Sequence, residues 1–246
     1  MRFVLIIAFL LAAGGAQANH PMITDDTEVL DKGSWQLELH GERSRDTQNG
    51  LTMRSTLAAI AVSYGVAKNL EIQIEQPYAR VTESDGTSSS ESNGRTDVLL
   101  ELKWNFYEHD GVGLLLKPVL ALPTGSEEVS DDHAQFGLEL AAAKELGEFE
   151  LLGQVIYATN RNDEGNRESL WRVSAALAWS TTERLKLFVD GARTTHPRPG
   201  EAAVREWVFG FLYDVSSTLD FGLGIRQGLS DSARDQGLRA GVRVRW

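Results

Sequence analysis

The chain has 246 residues, a formal net charge of -11, no cysteine and 42% apolar residues. Without thiols or an excess of Lys and Arg it cannot be a disulfide scaffold, a zinc-thiolate protein, a cysteine hydrolase or a basic nucleic-acid binder. Its slightly negative mean hydropathy argues against helical spans, but a membrane barrel alternates apolar with polar residues and averages to the same value.

Residues 1–18 read as a secretory signal peptide. Arg2 supplies the positive end, Phe3 to Ala13 an apolar run, and Ala16-Gln17-Ala18 a small-residue cleavage site. Gly14-Gly15 stops the run before it is long enough to span a membrane, and the remainder holds no apolar stretch near ~18 residues. Loss of Arg2 with the leader takes the mature charge from -11 to -12. No cysteine follows the cleavage site, so lipid anchoring as a lipoprotein is excluded.

From residue 35 onward the chain alternates with a period of two, the signature of strands with two different faces. Trp35, Leu37 and Leu39 oppose Gln36, Glu38, His40 and Glu42. A more apolar segment covers 54–64. Leu70, Ile72, Ile74 and Tyr78 oppose Glu71, Gln73 and Glu75, and Val98, Leu100, Leu102, Trp104 and Phe106 oppose Asp97, Glu101, Lys103 and Asn105. Segments near 111–123, 134–144, 148–158, 169–180, 184–194, 205–215 and 218–227 follow suit. The last strand sets Leu238, Ala240, Val242, Val244 and Trp246 against Arg239, Gly241, Arg243 and Arg245. About twelve strands result.

The connections alternate in length. Long polar loops are expected near 44–53, 82–95, 124–134, 159–168, 195–204 and 228–237, and short turns near 65–69, 107–111, 145–148, 180–184 and 214–218. Short periplasmic turns and longer external loops are the habit of an outer-membrane barrel, and an even strand count puts both chain ends in the periplasm. Aromatic residues toward strand ends (Trp35, Tyr64, Trp104, Phe106, Phe149, Tyr157, Trp179, Trp207 and Tyr213) suit interfacial girdles. The expected fold is all-β: an up-and-down antiparallel transmembrane β-barrel over residues 19–246, in the outer membrane of a diderm bacterium. A final strand with apolar residues at every second position and a terminal aromatic resembles the assembly signal of such barrels; Val242, Val244 and Trp246 carry it, and the barrel-assembly machinery is the implied partner beside membrane lipid.

Three stretches resemble the outer-membrane transporter family labelled as the putative MetA pathway of phenol degradation. They are Tyr64-Gly65-Val66 with Asn69-Leu70-Glu71-Ile72, then Gly94 with Asp97 through Trp104, and Lys117-Pro118-Val119-Leu120-Ala121-Leu122-Pro123-Thr124-Gly125. Arg95-Thr96 departs from the pattern, where a second glycine before the aspartate is common. The resemblance implies a barrel that passes small compounds, hydrophobic or aromatic ones among them, without fixing phenol as substrate.

With the polar faces inward, the lumen is lined by Glu38, His40, Glu42, Glu71, Glu75, Asp97, Glu101, Lys103, Lys117, Arg172, Lys186, Arg226, Arg239, Arg243 and Arg245. Closure of first strand on last would set a basic ladder beside an acidic one. Such a ladder either selects permeants by charge and size or simply pairs charges that would otherwise be stranded. Twelve strands fall between the filled barrels of about 8 and the open pores of about 16 to 18, so the passage is narrow at best.

Enzymatic readings rest on less. His133 is the histidine near serines, in Ser126-Glu127-Glu128-Val129-Ser130-Asp131-Asp132-His133, but nothing in the pattern fixes a serine against the imidazole. The same acids lack the ligand spacing of a calcium loop, and the polar stretch 83–93 reads as mobile. No catalytic residue, metal site or cofactor is expected. The reading is a channel for passive or facilitated passage of a small-molecule permeant, with a lipid-modifying enzyme, or a closed barrel whose external loops bind a partner, as the alternatives.

Overall fold

The computed structural model describes residues 20–48, 50–130 and 132–246. The leader expected at 1–18 lies outside the described residues. Thirteen strands follow in chain order: β1 (Trp35–Gln48), β2 (Leu51–Ala67), β3 (Leu70–Ser84), β4 (Ser89–Arg95), β5 (Val98–His109), β6 (Val112–Leu122), β7 (Gln135–Leu146), β8 (Phe149–Thr159), β9 (Ser169–Ser180), β10 (Leu185–Thr194), β11 (Val204–Asp214), β12 (Leu219–Gly228) and β13 (Gln236–Arg245). Neighbours in this order pair antiparallel, except that β4 and β5 both pair with β3 and not with each other, and β1 pairs with β13, which closes the sheet.

The barrel has twelve staves, because β4 and β5 form one of them. β3 pairs with β4 above and with β5 below, and the ladder breaks between them at Thr96-Asp97. Pro77 explains the break. Its carbonyl accepts from the Thr96 amide at 3.0 Å, but it has no N–H to return. The Gln76 side-chain amide donates to the Thr96 carbonyl instead, at 2.9 Å.

Alternation sorts the residues as a membrane requires. Leu39, Ile60, Ile74, Leu140, Val173, Phe209, Ile225 and Val242 are exposed on the outer face, whereas Glu38, Glu75, Glu101, Lys117, Glu139 and Asp190 are buried inside. An apolar outer face is stable in lipid and costly in water. The rim that holds the C-terminus is aromatic: Trp35 packs on Tyr64 at 4.7 Å, Trp104 on Phe106 at 5.6 Å and Phe149 on Trp179 at 6.0 Å. Turns at this rim are short, at residues 68–69, 110–111 and 147–148.

Two long loops expected at the opposite, external rim are strand instead. β1 runs to Gln48 and β2 starts at Leu51, so 44–53 is a tight hairpin; 82–95 closes at 85–88. These hairpins rise above the lipid, where no apolar outer face is required. Apart from Leu51 and Met53 their residues are polar or glycine, and polarity there does not signal a loop. At the tip of the second, Asp85 Oδ1 accepts from the amides of Thr87 and Ser88, both at 2.8 Å. Those bonds hold its carboxyl well below the usual carboxylate range. The loops at 123–134, 160–168, 195–203 and 229–235 stay long.

Candidate functional site

Residues 20–34 do not lead straight into β1. They fold back into the lumen, and His20 through Thr27 are buried, so the chain's own N-terminal segment fills the middle of the barrel. No periodic pattern marks these residues, and the segment was not legible in the sequence.

The wall makes room for it with glycine. A Cβ at Gly113 would collide with the Thr27 side chain, one at Gly222 with Pro21, and one at Gly241 would lie 2.8 Å from His20 Cβ. Glycine inside a strand often marks close approach by another backbone. Met22 and Ile23 pack against Leu152, Ala176, Ala178, Phe188, Val208 and Leu212, inner-face apolar residues of β8 to β11. Side chains also seat the segment by hydrogen bonds. Asp190 accepts from the amides of Ile23 and Thr24 at 2.6 and 2.7 Å and from the Thr24 hydroxyl at 2.7 Å. Asn105 donates to the Thr27 carbonyl at 2.8 Å, and Glu71 accepts from the Leu30 amide at 2.9 Å.

Asp25 is the electrostatic anchor. Its carboxylate lies 2.6 Å from Lys117 Nζ and 3.7 Å from Lys103 Nζ. Lys117 is fully buried and also meets Glu139 at 3.1 Å and Glu101 at 3.6 Å. Leaving a buried cation or carboxylate without its partner costs about 3–5 kcal/mol, so this cluster ties the segment to three staves at once. Glu139 stands directly across from Lys117 in the β6–β7 ladder.

A second cluster lies toward β11 to β13. Arg226 pairs with both Glu42 and Glu206, while Arg239 and Arg234 approach Glu42 at 3.5 and 3.8 Å. Arg243 and Arg245 turn to Asp220 of β12 at 2.8 and 3.0 Å. The single basic ladder facing the acids of β1 is thus split in two. Arg239 meets an acid of β1, and the two arginines nearer the C-terminus take one from β12.

The remaining candidates scatter around these clusters. Glu38 lies 3.2 Å from His40 Nδ1, whose Nε2 is 3.8 Å from Glu75. Lys186 pairs with Glu150 at 2.9 Å at the aromatic rim. The Arg172 Nε contacts the Thr194 hydroxyl at 3.3 Å. Asp97 turns to the external loop, accepting from the Gly125 amide and the Ser130 hydroxyl, while Val129 of that loop is buried on Ala79 and Val81. Ser130 is thereby engaged, and among the described residues no hydrogen bond joins His133 to a serine. Val242, Val244 and Trp246 face outward, and Trp246 closes the barrel through backbone bonds to Trp35 of 2.9 and 3.1 Å.

Asp25, Thr24, Glu139, Asp190, Glu206, Asp220 and Arg234 escaped the sequence reading. Glu139, Asp190, Glu206 and Asp220 sit at inward parity on their strands, so carrying the alternation through β7, β10, β11 and β12 would have found them. A candidate metal cluster was equally hidden: donor atoms of His20, Glu38 and His40 lie within 4.8 Å of one another. The two imidazoles are stacked at 3.9 Å and 8°. Their in-plane lone pairs therefore lie in parallel planes and do not both point at one ion, and the set fits tetrahedral zinc poorly. Below the segment a cavity of about 460 Å³ opens toward the C-terminal rim, lined by Asp26, Glu28, Gln36, Lys103, Arg243 and Arg245 among others.

A closed twelve-stave antiparallel barrel with an apolar outer face, an aromatic rim and a charged lumen defines the class of outer-membrane β-barrels. Within that class the chain belongs to the family described as "Putative MetA-pathway of phenol degradation", whose profile matches residues 18–246. No curated protein sequence matches it. Among solved structures, an outer membrane channel from Pseudomonas putida F1 is similar over 90% of this chain and 98% of its own, with 16% identity and a TM-score of 0.74. The NanC porin matches over 85% of this chain and 98% of its own at 10% identity and a TM-score of 0.61. The translocator domain of the autotransporter NalP from Neisseria meningitidis matches over 89% and 91% at 12% identity and a TM-score of 0.55. These likenesses are of fold.

Proposed function

We propose that the protein is an outer-membrane channel for a small solute and that residues 20–30 are its displaceable constriction. One observation carries this reading: the lumen is filled by a segment outside the sheet, held by side chains, so the passage can open without breaking a stave. A barrel built solely as an anchor could fill its lumen from the wall, as smaller barrels do. The family's description supports a hydrophobic or aromatic permeant. The mixed charge of Glu42, Lys103, Arg226, Arg239, Arg243 and Arg245 supports selection by charge and size once the segment moves. Val242, Val244 and Trp246 would serve recognition by the assembly machinery before the outer face meets lipid.

Single-channel recording on the refolded mature protein tests the proposal. Small steps are expected from the intact chain and larger ones after removal of residues 20–30, with ion preference changed by joint Arg239→Ala and Arg243→Ala. Absence of conductance in both intact and shortened protein would overturn it. Lipid hydrolysis abolished by His133→Ala would favour an enzyme instead.

A further inference from the structure

Both rims of the outer face are aromatic: at the external end Phe136 and Trp207 are exposed and Tyr157 packs on Trp171 at 5.1 Å. The external end also carries arginine at outward positions. Arg45 of β1 stands directly opposite Arg54 of β2, and the next outward row holds Arg43 and Arg80 on either side of Thr56. Elsewhere on the barrel, Arg193 of β10 stands directly opposite Arg205 of β11. All six are exposed.

Like charges directly opposite one another destabilise a sheet, so the sheet gains nothing from either pair. Arg80 has a carboxylate partner, Glu91 at 2.8 Å. Among the described residues the other five arginines make no ion pair, and Arg95, beside Tyr78 on the same outer surface, adds further positive charge. An anion from outside would relieve the repulsion.

Their height says which medium supplies it. Arg43 and Arg45 lie eight and ten residues along β1 from Trp35 of the opposite rim. At about 3.3 Å per residue and a tilt near 40°, that is roughly 20–25 Å, the thickness of the apolar band. The guanidinium groups therefore lie where the external leaflet's headgroups begin. Beside the Arg193–Arg205 pair the outer wall is also hollow, with a cavity of about 730 Å³ lined by Trp171, Val173, Ala175, Gly191 and Leu229, with Arg167 and Glu201 also contributing. Ala175 and Gly191 are paired across strands, and Gly153, paired to Ala175 on the other side, has open space where a Cβ would stand. A recess of small and apolar residues beside paired guanidiniums suits acyl chains below a phosphate.

We infer that the outward arginines of β1 to β3 and of β10–β11 are docking sites for a phosphorylated glycolipid of the external leaflet. Guanidinium forks bind phosphate through paired, charge-assisted hydrogen bonds, and two from adjacent strands can share one phosphate.

The test uses the mature chain in neutral detergent, offered bisphosphorylated lipid A, its dephosphorylated form or inorganic phosphate. Bound lipid is read by native mass spectrometry and barrel stability by melting. Bisphosphorylated lipid should be retained at concentrations about tenfold below those the dephosphorylated form needs, and should raise the melting temperature. Arg45→Gln with Arg54→Gln, and separately Arg193→Gln with Arg205→Gln, should each weaken retention about tenfold, since each removes charge-assisted bonds. Lysine at the same positions keeps charge without the fork and should fall between. If a glutamine variant fails to fold, the two lipids compared on the unaltered chain still decide. Equal retention of both lipids, retention indifferent to both double substitutions, or inorganic phosphate binding as tightly as the phosphorylated lipid would each overturn the inference.

Discussion

Asp25→Ala should release the lumen segment and leave the barrel standing. Lys117 Nζ lies 2.6 Å from Asp25 but also 3.1 Å from Glu139 and 3.6 Å from Glu101. Removing Asp25 therefore strands no cation, since two wall carboxylates still face Lys117 and Asp26 still lies 3.9 Å from Lys103. What is lost is the segment's charge-assisted bond, about 1.5–3 kcal/mol. At 1.4 kcal/mol per factor of ten, the displaced population rises roughly tenfold to a hundredfold. Lys117→Met acts differently: it leaves Asp25, Glu101 and Glu139 facing one another without their lysine, a cost of about 3–5 kcal/mol that falls on wall and segment alike. The chain has no cysteine, so Met22→Cys provides a single thiol, at a side chain 1% exposed and packed against the wall. A membrane-impermeant thiol reagent should label it slowly in the otherwise unaltered protein and at least about tenfold faster with Asp25→Ala, at an unchanged barrel melting temperature. The pair is sheltered from solvent, so moderate salt should move the rate little. A labelling rate unaffected by Asp25→Ala would refute the anchoring role of the Lys117 cluster.

Three further outcomes are expected. Gly113→Ala and Gly222→Ala put a methyl group into Thr27 and Pro21 and should enlarge conductance steps, whereas Gly153→Ala, facing open space, should not; equal effects in recording would contradict the seating. The Asp85 carboxyl is held below its ordinary range, so the stability it lends is present above the unfolded value and is lost as pH falls through the lowered folded one. Amide exchange at Thr87 and Ser88 should stay protected at pH 4, an acidity near which a free aspartate titrates, and lose protection in stronger acid, while Asp85→Ala should lose it at neutral pH. Deleting Trp246, which is 63% exposed and bonds to Trp35 through the backbone, should lower the folded fraction in outer membranes as judged by heat-modifiable migration; an unchanged fraction would argue against an assembly role.

The outward half of the barrel was legible because lipid imposes one rule on every stave. Leu70, Ile72 and Ile74 or Leu238, Ala240 and Val242 must all be apolar whatever their neighbours do, so period-two alternation located the staves and the closure of β1 on β13. Above the lipid the rule lapses, and the strand ends at 44–48 and 89–95 passed for loops. The break at Thr96-Asp97 was hidden for a different reason. It depends on Pro77 being opposite Thr96, a matter of register between strands and not of either strand alone.

The inward half was half legible, and the missing part has a common physical cause. A wet lumen explains charge at inward positions but does not explain Phe188, Val208 and Leu212, or a glycine at 113, 222 and 241, on the same face. Apolar side chains and glycines inside a polar tube imply a dry contact with something that passes close to the wall. Met22 and Ile23 supply that contact against the apolar residues, and Thr27, Pro21 and His20 fill the space left by the glycines. The same occupant accounts for Lys117, since a fully buried lysine among wall acids would be an expensive way to line an open pore and is a workable way to hold Asp25. Departures from the expected lumen pattern thus map the seat of the segment on β6 and on β8 to β13, which under the proposed function is the constriction a permeant displaces.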